Sequence, residues 1–402
     1  QVKTENLEEF SLHVAPPLFD AGKPVRVAIN GREEFRGPVP ADGWLRLRKQ
    51  GGKWAPSVEP QGLHKTAELE GPVEHAFMTS FVIVFGTQGA DERAKRVAAD
   101  EARLLADFWN RWARGKCRIK PDREVTDDDI QRCNLILVGD PATNSLVPRV
   151  MPKLPIRVEG KSIVFGDKRF EGDDLGLKLV YPNPLNPKRY VALFTGTTWR
   201  GVSEIIGRFG NWFAWGILDG LHWADFEVFD TLTYSPETAL AIGYFDNDWK
   251  LHPDWTVLGD EKLRQARPPR RTPEHRTPPE GVGELYLSDL EPTYTRPEKG
   301  CVGRDRSFNA FPLTLGGRTY PRGLGIHPNC EIGFDIGGRF SVFEAVVGSD
   351  LEGEKAVSKA RDEAESFEFM VVGDGRTLYQ TGRMKWDSEP RHIYVPLPGV
   401  RH

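Results

Sequence analysis

The sequence predicts a multidomain chain of α/β plus all-β class. A small doubly wound α/β domain follows an N-terminal β segment and is linked to a C-terminal β-sandwich. Three observations predict this. Continuous apolar runs, each ending in a Gly turn, recur through the middle of the chain. Short apolar runs punctuated by Gly, Pro, Asn and Asp at roughly 8–12-residue spacing fill the last third. Between them lies a stretch rich in Pro and Arg with almost no apolar residue to bury.

Residues 1–65 form the β-rich N-terminal segment. Phe10 to Val14 alternates apolar and polar positions. Val25 to Ile29 and Arg32 to Phe35 flank Asn30-Gly31, two residues that tolerate positive φ and so close a hairpin. Three or four strands are expected here. That is too few for a free-standing domain, so the segment should cap the next domain or complete a larger β domain upstream.

Residues 66–258 alternate strand and helix patterns in a flavodoxin- or Rossmann-like manner. Phe81 to Phe85 is wholly apolar and leads through Gly86-Thr87-Gln88-Gly89 into a helix from Asp91 to Trp112, with apolar positions at Val97, Leu104, Leu105, Phe108 and Trp112. Asn134 to Val138 ends in Gly139-Asp140-Pro141, and Tyr190 to Phe194 runs through Thr195-Gly196-Thr197-Thr198 into a helix expected from Trp199 to Phe213. Such strands imply a parallel sheet covered on both faces. Residues 259–283 read as a semi-extended linker. Residues 284–402 follow as the sandwich, with strands expected at Leu285 to Leu287, Phe311 to Leu315, Glu331 to Ile336 and Phe340 to Val347.

The net charge of −4 leaves no footprint for nucleic acid or an anionic membrane. No run approaches the ~20 apolar residues of a membrane span. Gln1-Val2-Lys3-Thr4 is not a signal peptide, although a mature N-terminus after cleavage would look the same. Cys117 and Cys133, and Cys301 and Cys330, could form two disulfides in an oxidising compartment or remain free thiols. The spacing of these cysteines does not suit zinc.

In a doubly wound sheet, ligands gather at the turns after the strands. That edge would present Thr87, Gln88, Asp140, Asn144, Thr197 and Thr198, either to hold an anion or hydroxyl-rich ligand or simply to cap turns. No Gly-x-Gly-x-x-Gly or Gly-Lys-Ser/Thr phosphate loop is present. Ser203, in Gly201-Val202-Ser203-Glu204-Ile205, lacks the second glycine of a nucleophile elbow and falls inside a predicted helix, and there is no His-Glu-x-x-His zinc helix. Glycoside hydrolysis needs two carboxylates that can be far apart in sequence. Asp173, Asp174, Asp219, Asp225, Glu227, Asp246 and Asp248 are candidates. The aromatic stretch Phe209, Trp212, Phe213, Trp215, Trp223, Phe226 and Phe229 reads as core packing rather than sugar stacking.

Tyr286-Leu287-Ser288-Asp289-Leu290, Gly316-Gly317-Arg318-Thr319-Tyr320, Gly323-Leu324-Gly325-Ile326-His327, Phe334-Asp335-Ile336-Gly337-Gly338 and Val347-Gly348-Ser349-Asp350 closely resemble the NPCBM family of carbohydrate-binding modules. The likeness continues through Phe367-Glu368-Phe369, Gly373-Asp374-Gly375 and Ile393 to Pro396. It implies a galactose-binding-like jelly roll, appended to secreted bacterial hydrolases and directed at a glycan or polysaccharide. The family pattern runs beyond His402, so an incomplete sandwich with an open edge is expected. Sugar binding needs a stacking plate and polar groups for hydroxyls; Tyr320, His327, Glu331, Arg304 and Trp386 are the candidates, each with a structural alternative. The resemblance also implies a structural calcium near Asp305, with Asp289 as the alternative ligand.

Gly71-Pro72 with Ala76-Phe77, Phe85 to Gly89, Asn134 to Leu137, Gly139 to Pro141 with Asn144, Tyr181 to Pro184 and Phe209 to Trp212 resemble the region after the catalytic domain of bacterial prolyl-oligopeptidase-like proteins. The expectation is an extracytoplasmic carbohydrate-binding accessory protein, or the accessory region of a secreted hydrolase. The alternatives are a hydrolase with catalysis in the α/β domain and a structural subunit of a larger assembly.

Overall fold

The computed structural model describes the chain apart from residues 15–18, 21, 59–61, 204, 206–223, 298–301 and 351–365, with backbone alone at 111 and 112. It divides into two compact units, Gln1–His64 and Lys65–His402.

In the first unit the Asn-Gly hairpin forms as its sequence dictates. Val25–Ile29 pairs antiparallel with Arg32–Gly37, and Asn30 and Gly31 take φ of 50° and 84°. A second turn at Gly51 and Gly52 joins Trp44–Gln50 to Lys53–Pro56, and Glu9–His13 pairs with the other side of Trp44–Gln50. The sequence reading missed that last hairpin, because Lys49, Gln50 and Lys53 break the apolar alternation around the turn. With it, the unit has a core of its own: Val14, Val25, Val27, Ile29, Leu45, Leu47 and Trp54.

The second unit is built on an eight-stranded sheet. In spatial order the strands are Leu251–Leu258, Ala241–Phe245, Phe226–Phe229, Gly176–Asn183, Asn186–Gly196, Asn134–Val138, Phe81–Phe85 and Arg118–Pro121. Only the last four run parallel. Gly176–Asn183 pairs antiparallel on both sides, so the expected all-parallel sheet is corrected to a mixed one. The cause is local: Pro184 and Leu185 connect Gly176–Asn183 directly to Asn186–Gly196, and such a turn cannot make the crossover that parallel neighbours need.

The long helix, Glu92–Ala113, starts where Asp91 accepts the backbone N–H groups of Arg93 and Ala94, and it buries Ala98, Ala102 and Leu105. The expected Trp199–Phe213 helix is helical over Trp199–Val202; residue 204 and residues 206–213 lie outside the described residues. So do Phe209, Trp212, Phe213, Trp215 and Trp223, while Phe226 and Phe229 are fully buried, as a core role requires.

The Pro/Arg-rich stretch is not bare spacer. A short helix, Glu261–Arg264, buries Arg264, which donates to the Thr238 carbonyl and the Asp230 carboxylate, and Arg270 donates to the Ser203 carbonyl. Beyond it, residues 284–402 hold antiparallel strand pairs, among them Tyr294–Pro297 with Cys330–Gly333 and Val342–Val347 with Arg391–Pro396. Leu285 to Leu287 is not a strand; Leu287–Asp289 forms a 3-10 turn in which Ser288 is buried and accepts a bond from Arg322. The final residues are bonded in place, Arg401 and His402 donating their N–H groups to the Asp374 carboxylate.

Candidate functional site

The crevice where the strand order reverses, between Phe81–Phe85 and Asn134–Val138, is filled by the chain's own polar groups. The Thr87 hydroxyl donates to Asp122 at 2.6 Å and Ser145 N–H donates to the other oxygen of that carboxylate at 2.7 Å. Burial alone would raise the Asp122 pKa, yet the bonds from Ser145 and Thr87 hold it below the usual range. Gln88 donates its backbone N–H to the Thr143 carbonyl. Asp140 accepts the N–H groups of Ala142 and Thr143, and Asn144 donates to the carbonyls of Val84 and Val138. A Cβ on Gly86 would fall 2.5 Å from the Thr143 backbone, so the two turns close on each other. Thr197 donates to the Leu175 carbonyl, and Thr198 caps Trp199–Val202 by accepting from Arg200. These six residues make the bonds of turn and cap residues.

A fully buried carboxylate with an unpartnered oxygen lies at the opposite edge of the sheet. Asp225 immediately precedes its strand and has no exposed surface; its Oδ2 accepts Lys65 Nζ at 2.6 Å and Phe245 N–H at 2.9 Å. Its Oδ1 has no partner and lies against Gly71, where an added Cβ would approach to 1.9 Å. Gly71 has φ of 78° and a cis bond to Pro72, which turns the chain into the Val73–Phe77 helix carrying Glu74 and His75.

Glu74 Oε2 is buried without a partner, and desolvation, reinforced by the nearby Asp225 charge, pushes its pKa up to about 7. Desolvation likewise raises the pKa of Asp225, against the pull of Lys65. Tyr190, fully buried, accepts Gly71 N–H at 3.0 Å and lies 2.8 Å from His75 Nδ1. Burial moves the Tyr190 hydroxyl well above its ordinary range, so it keeps its proton. Lys65 Nζ sits 5.0 Å from the centre of the buried Trp249 ring.

Of this cluster, sequence reasoning singled out Asp225 alone. Gly71-Pro72, already conspicuous as a motif, was the available signal for Glu74 and His75. Asp174 instead holds Thr231, Asp246 closes its own turn, and Glu227 is buried opposite Lys178 at 3.5 Å. Asp219 lies outside the described residues. Beside the cluster is a groove of about 490 Å³ lined by His75, Leu69, Glu68, Thr79, Lys188 and Arg189, among others.

In the C-terminal region the five sugar-binding candidates lie on or just after strands of four separate two-stranded pairs. Trp386 is exposed, and Tyr320 is half-buried opposite Leu313. Glu331 accepts the Tyr294 hydroxyl at 2.7 Å and lies in register with Arg296. His327 is half-buried against the Phe308 ring, its Nδ1 3.1 Å from the Pro328 carbonyl. Arg304 is buried, and desolvation lowers its pKa to about 10 despite Asp305 and Glu101.

Asp289 and Asp305 do not fit a calcium cage. Both carboxylates are shared between Arg271 and Arg322, at 2.7 and 2.5 Å for Asp289 and 3.2 and 3.2 Å for Asp305, and Asp305 also accepts Gly323 N–H. A hard cation would have to displace two guanidinium groups. Among the described residues, no cluster of His, Cys, Asp and Glu could hold a metal, and no helix is long and apolar enough to cross a membrane. Cys117, Cys133 and Cys330 are free thiols, while Cys301 lies outside the described residues.

Residues 283–402 match the model of the NPCBM/NEW2 domain, a carbohydrate-binding module. The chain is 28% identical over 192 residues to a Renibacterium salmoninarum protein named as an endo-alpha-N-acetylgalactosaminidase, and the match covers 42% of this chain. It is 29% identical over 110 residues, 27% of its length, to alpha-1,3-galactosidase B of Akkermansia muciniphila. These matches span 12% and 13% of those relatives. Among solved structures it is similar to CBM51 from Clostridium perfringens GH95 in complex with methyl-galactose, at 28% identity and a TM-score of 0.26, covering 29% of this chain and 81% of that one. None of these matches carries the resemblance of residues 1–258 to prolyl-oligopeptidase-like proteins.

Proposed function

We propose that this chain serves hydrolysis of α-linked, galacto-configured glycans outside the cytoplasm, with residues 283–402 holding the sugar. The NPCBM/NEW2 match is the observation that carries the reading. The names of the two glycosidase relatives support the sugar configuration. Within the module, exposed Trp386 supplies a plate for the apolar face of a sugar, and His327, Tyr320 and Glu331 supply groups for its hydroxyls. Arg304 is buried on Gly303–Arg304, the strand paired with Leu324–Gly325. A glycan array probed with the full chain tests this. Among neutral glycans, signals confined to terminal galactose and N-acetylgalactosamine are expected, and preference for glucose or mannose termini would refute it.

A second reading, with hydrolysis on this chain, is favoured by Glu74. A carboxyl that keeps its proton up to about pH 7 beside a second carboxylate has the makings of a general acid. Asp225 has no exposed surface, so this reading requires the Lys65 to Phe77 segment to move. Release of p-nitrophenol from the α-galactoside or α-N-acetylgalactosaminide, abolished in Glu74→Gln, is the expected result; no release by the unaltered chain would exclude it.

A further inference from the structure

We propose that the groove beside His75 is a second glycan site, on the α/β part of the chain, that takes a sugar bearing a carboxylate or sulfate. Its volume of about 490 Å³ suits one or two sugar rings. Two consecutive cations, Lys188 and Arg189, stand on its wall, and neither has a carboxylate partner among the described residues. Glu68 is the acid among its lining residues. Of the acids behind the wall, Asp225 is paired with Lys65 at 2.6 Å, and Glu74 keeps its proton up to about pH 7 through desolvation.

His75 adds a directed donor. Its Nδ1 lies 2.8 Å from the Tyr190 hydroxyl, which accepts the Gly71 N–H and keeps a proton of its own to give. With that proton given to Nδ1, the imidazole carries its hydrogen on Nε2, where it can donate to an anion or a hydroxyl. Ala67 and Leu69 give the same groove an apolar side for the C–H face of a sugar, which a free inorganic anion would not use. Its lining residues all fall between 67 and 189, outside residues 283–402, and the site does not rest on the galactose reading.

Calorimetric titration of the full chain at low salt tests it, using digalacturonate, galactose 6-sulfate and neutral galactose as probes. Both acidic sugars are expected to bind, and to bind at least about tenfold more weakly to the Lys188→Gln/Arg189→Gln variant. Neutral galactose should bind both proteins alike. An unchanged thermal melt certifies the variant's fold, with the single Arg189→Lys variant expected to keep most of the affinity. Absence of heat with either acidic sugar, or equal acidic-sugar affinity in the double variant and the unaltered chain, overturns the proposal. Loss of neutral-galactose binding alone would instead count against the module reading.

Discussion

Lys65 Nζ lies 2.6 Å from the Oδ2 of Asp225, a carboxylate with no exposed surface that sits 160 residues further along the chain. This pair fastens the segment leading to Gly71 and Glu74 onto the end of the sheet. Removing one partner of a buried pair leaves an uncompensated charge, which costs about 3–5 kcal/mol. Lys65→Met should lower stability by that order in urea denaturation. The Lys65→Met/Asp225→Asn double variant should recover a large part of the loss; if it is as unstable as the single variant, the pair is not what holds the segment.

Glu74 makes stability depend on pH with a definite sign. Its pKa rises from 4.5 unfolded to about 7 folded, so below 4.5 the carboxyl is protonated in both states and contributes nothing. Between 4.5 and about 7 the folded state binds more protons than the unfolded, so stability falls as pH rises, and the full cost is present above 7. Glu74→Gln should therefore raise the melting temperature at pH 8 and leave it unchanged at pH 4. Equal shifts at both pH values would show that the side chain is not desolvated as described.

Arg271 and Arg322 neutralise Asp289 and Asp305. With both carboxylates held by arginine, calcium or a chelator is expected to move the melting temperature by less than about 1 °C, since only an ion bound to the folded state stabilises it. Arg322→Ala should lower it, and the loss should shrink as salt is added. A large, chelator-reversible rise with calcium would mean that the carboxylates exchange arginine for metal.

The elements legible in the sequence are those set by neighbouring residues. Asn30-Gly31 fixes its hairpin, and Asp91 starts its helix. Phe81–Phe85 and Leu135 to Val138 are apolar throughout because both faces of these strands are covered. What escaped depends on distant partners. Arg264 looks like linker composition until Asp230 and the Thr238 carbonyl, contributed by other parts of the fold, bury it. Glu74 and His75 gain their chemistry from Asp225 and Tyr190, each more than a hundred residues away. The strand-end candidates Asp140 and Asn144 were correctly placed in turns, but only the structure shows their polar atoms bonded within them.

Sugar recognition by residues 283–402 is the centre of the account, and titration of the full chain with methyl α-galactoside tests it most directly. Saturable binding is predicted, absent with methyl α-glucoside and weakened about tenfold or more in at least one of Trp386→Ala, His327→Ala and Tyr320→Ala. No binding of the galactoside, or an affinity that survives intact in all of these variants, would contradict it.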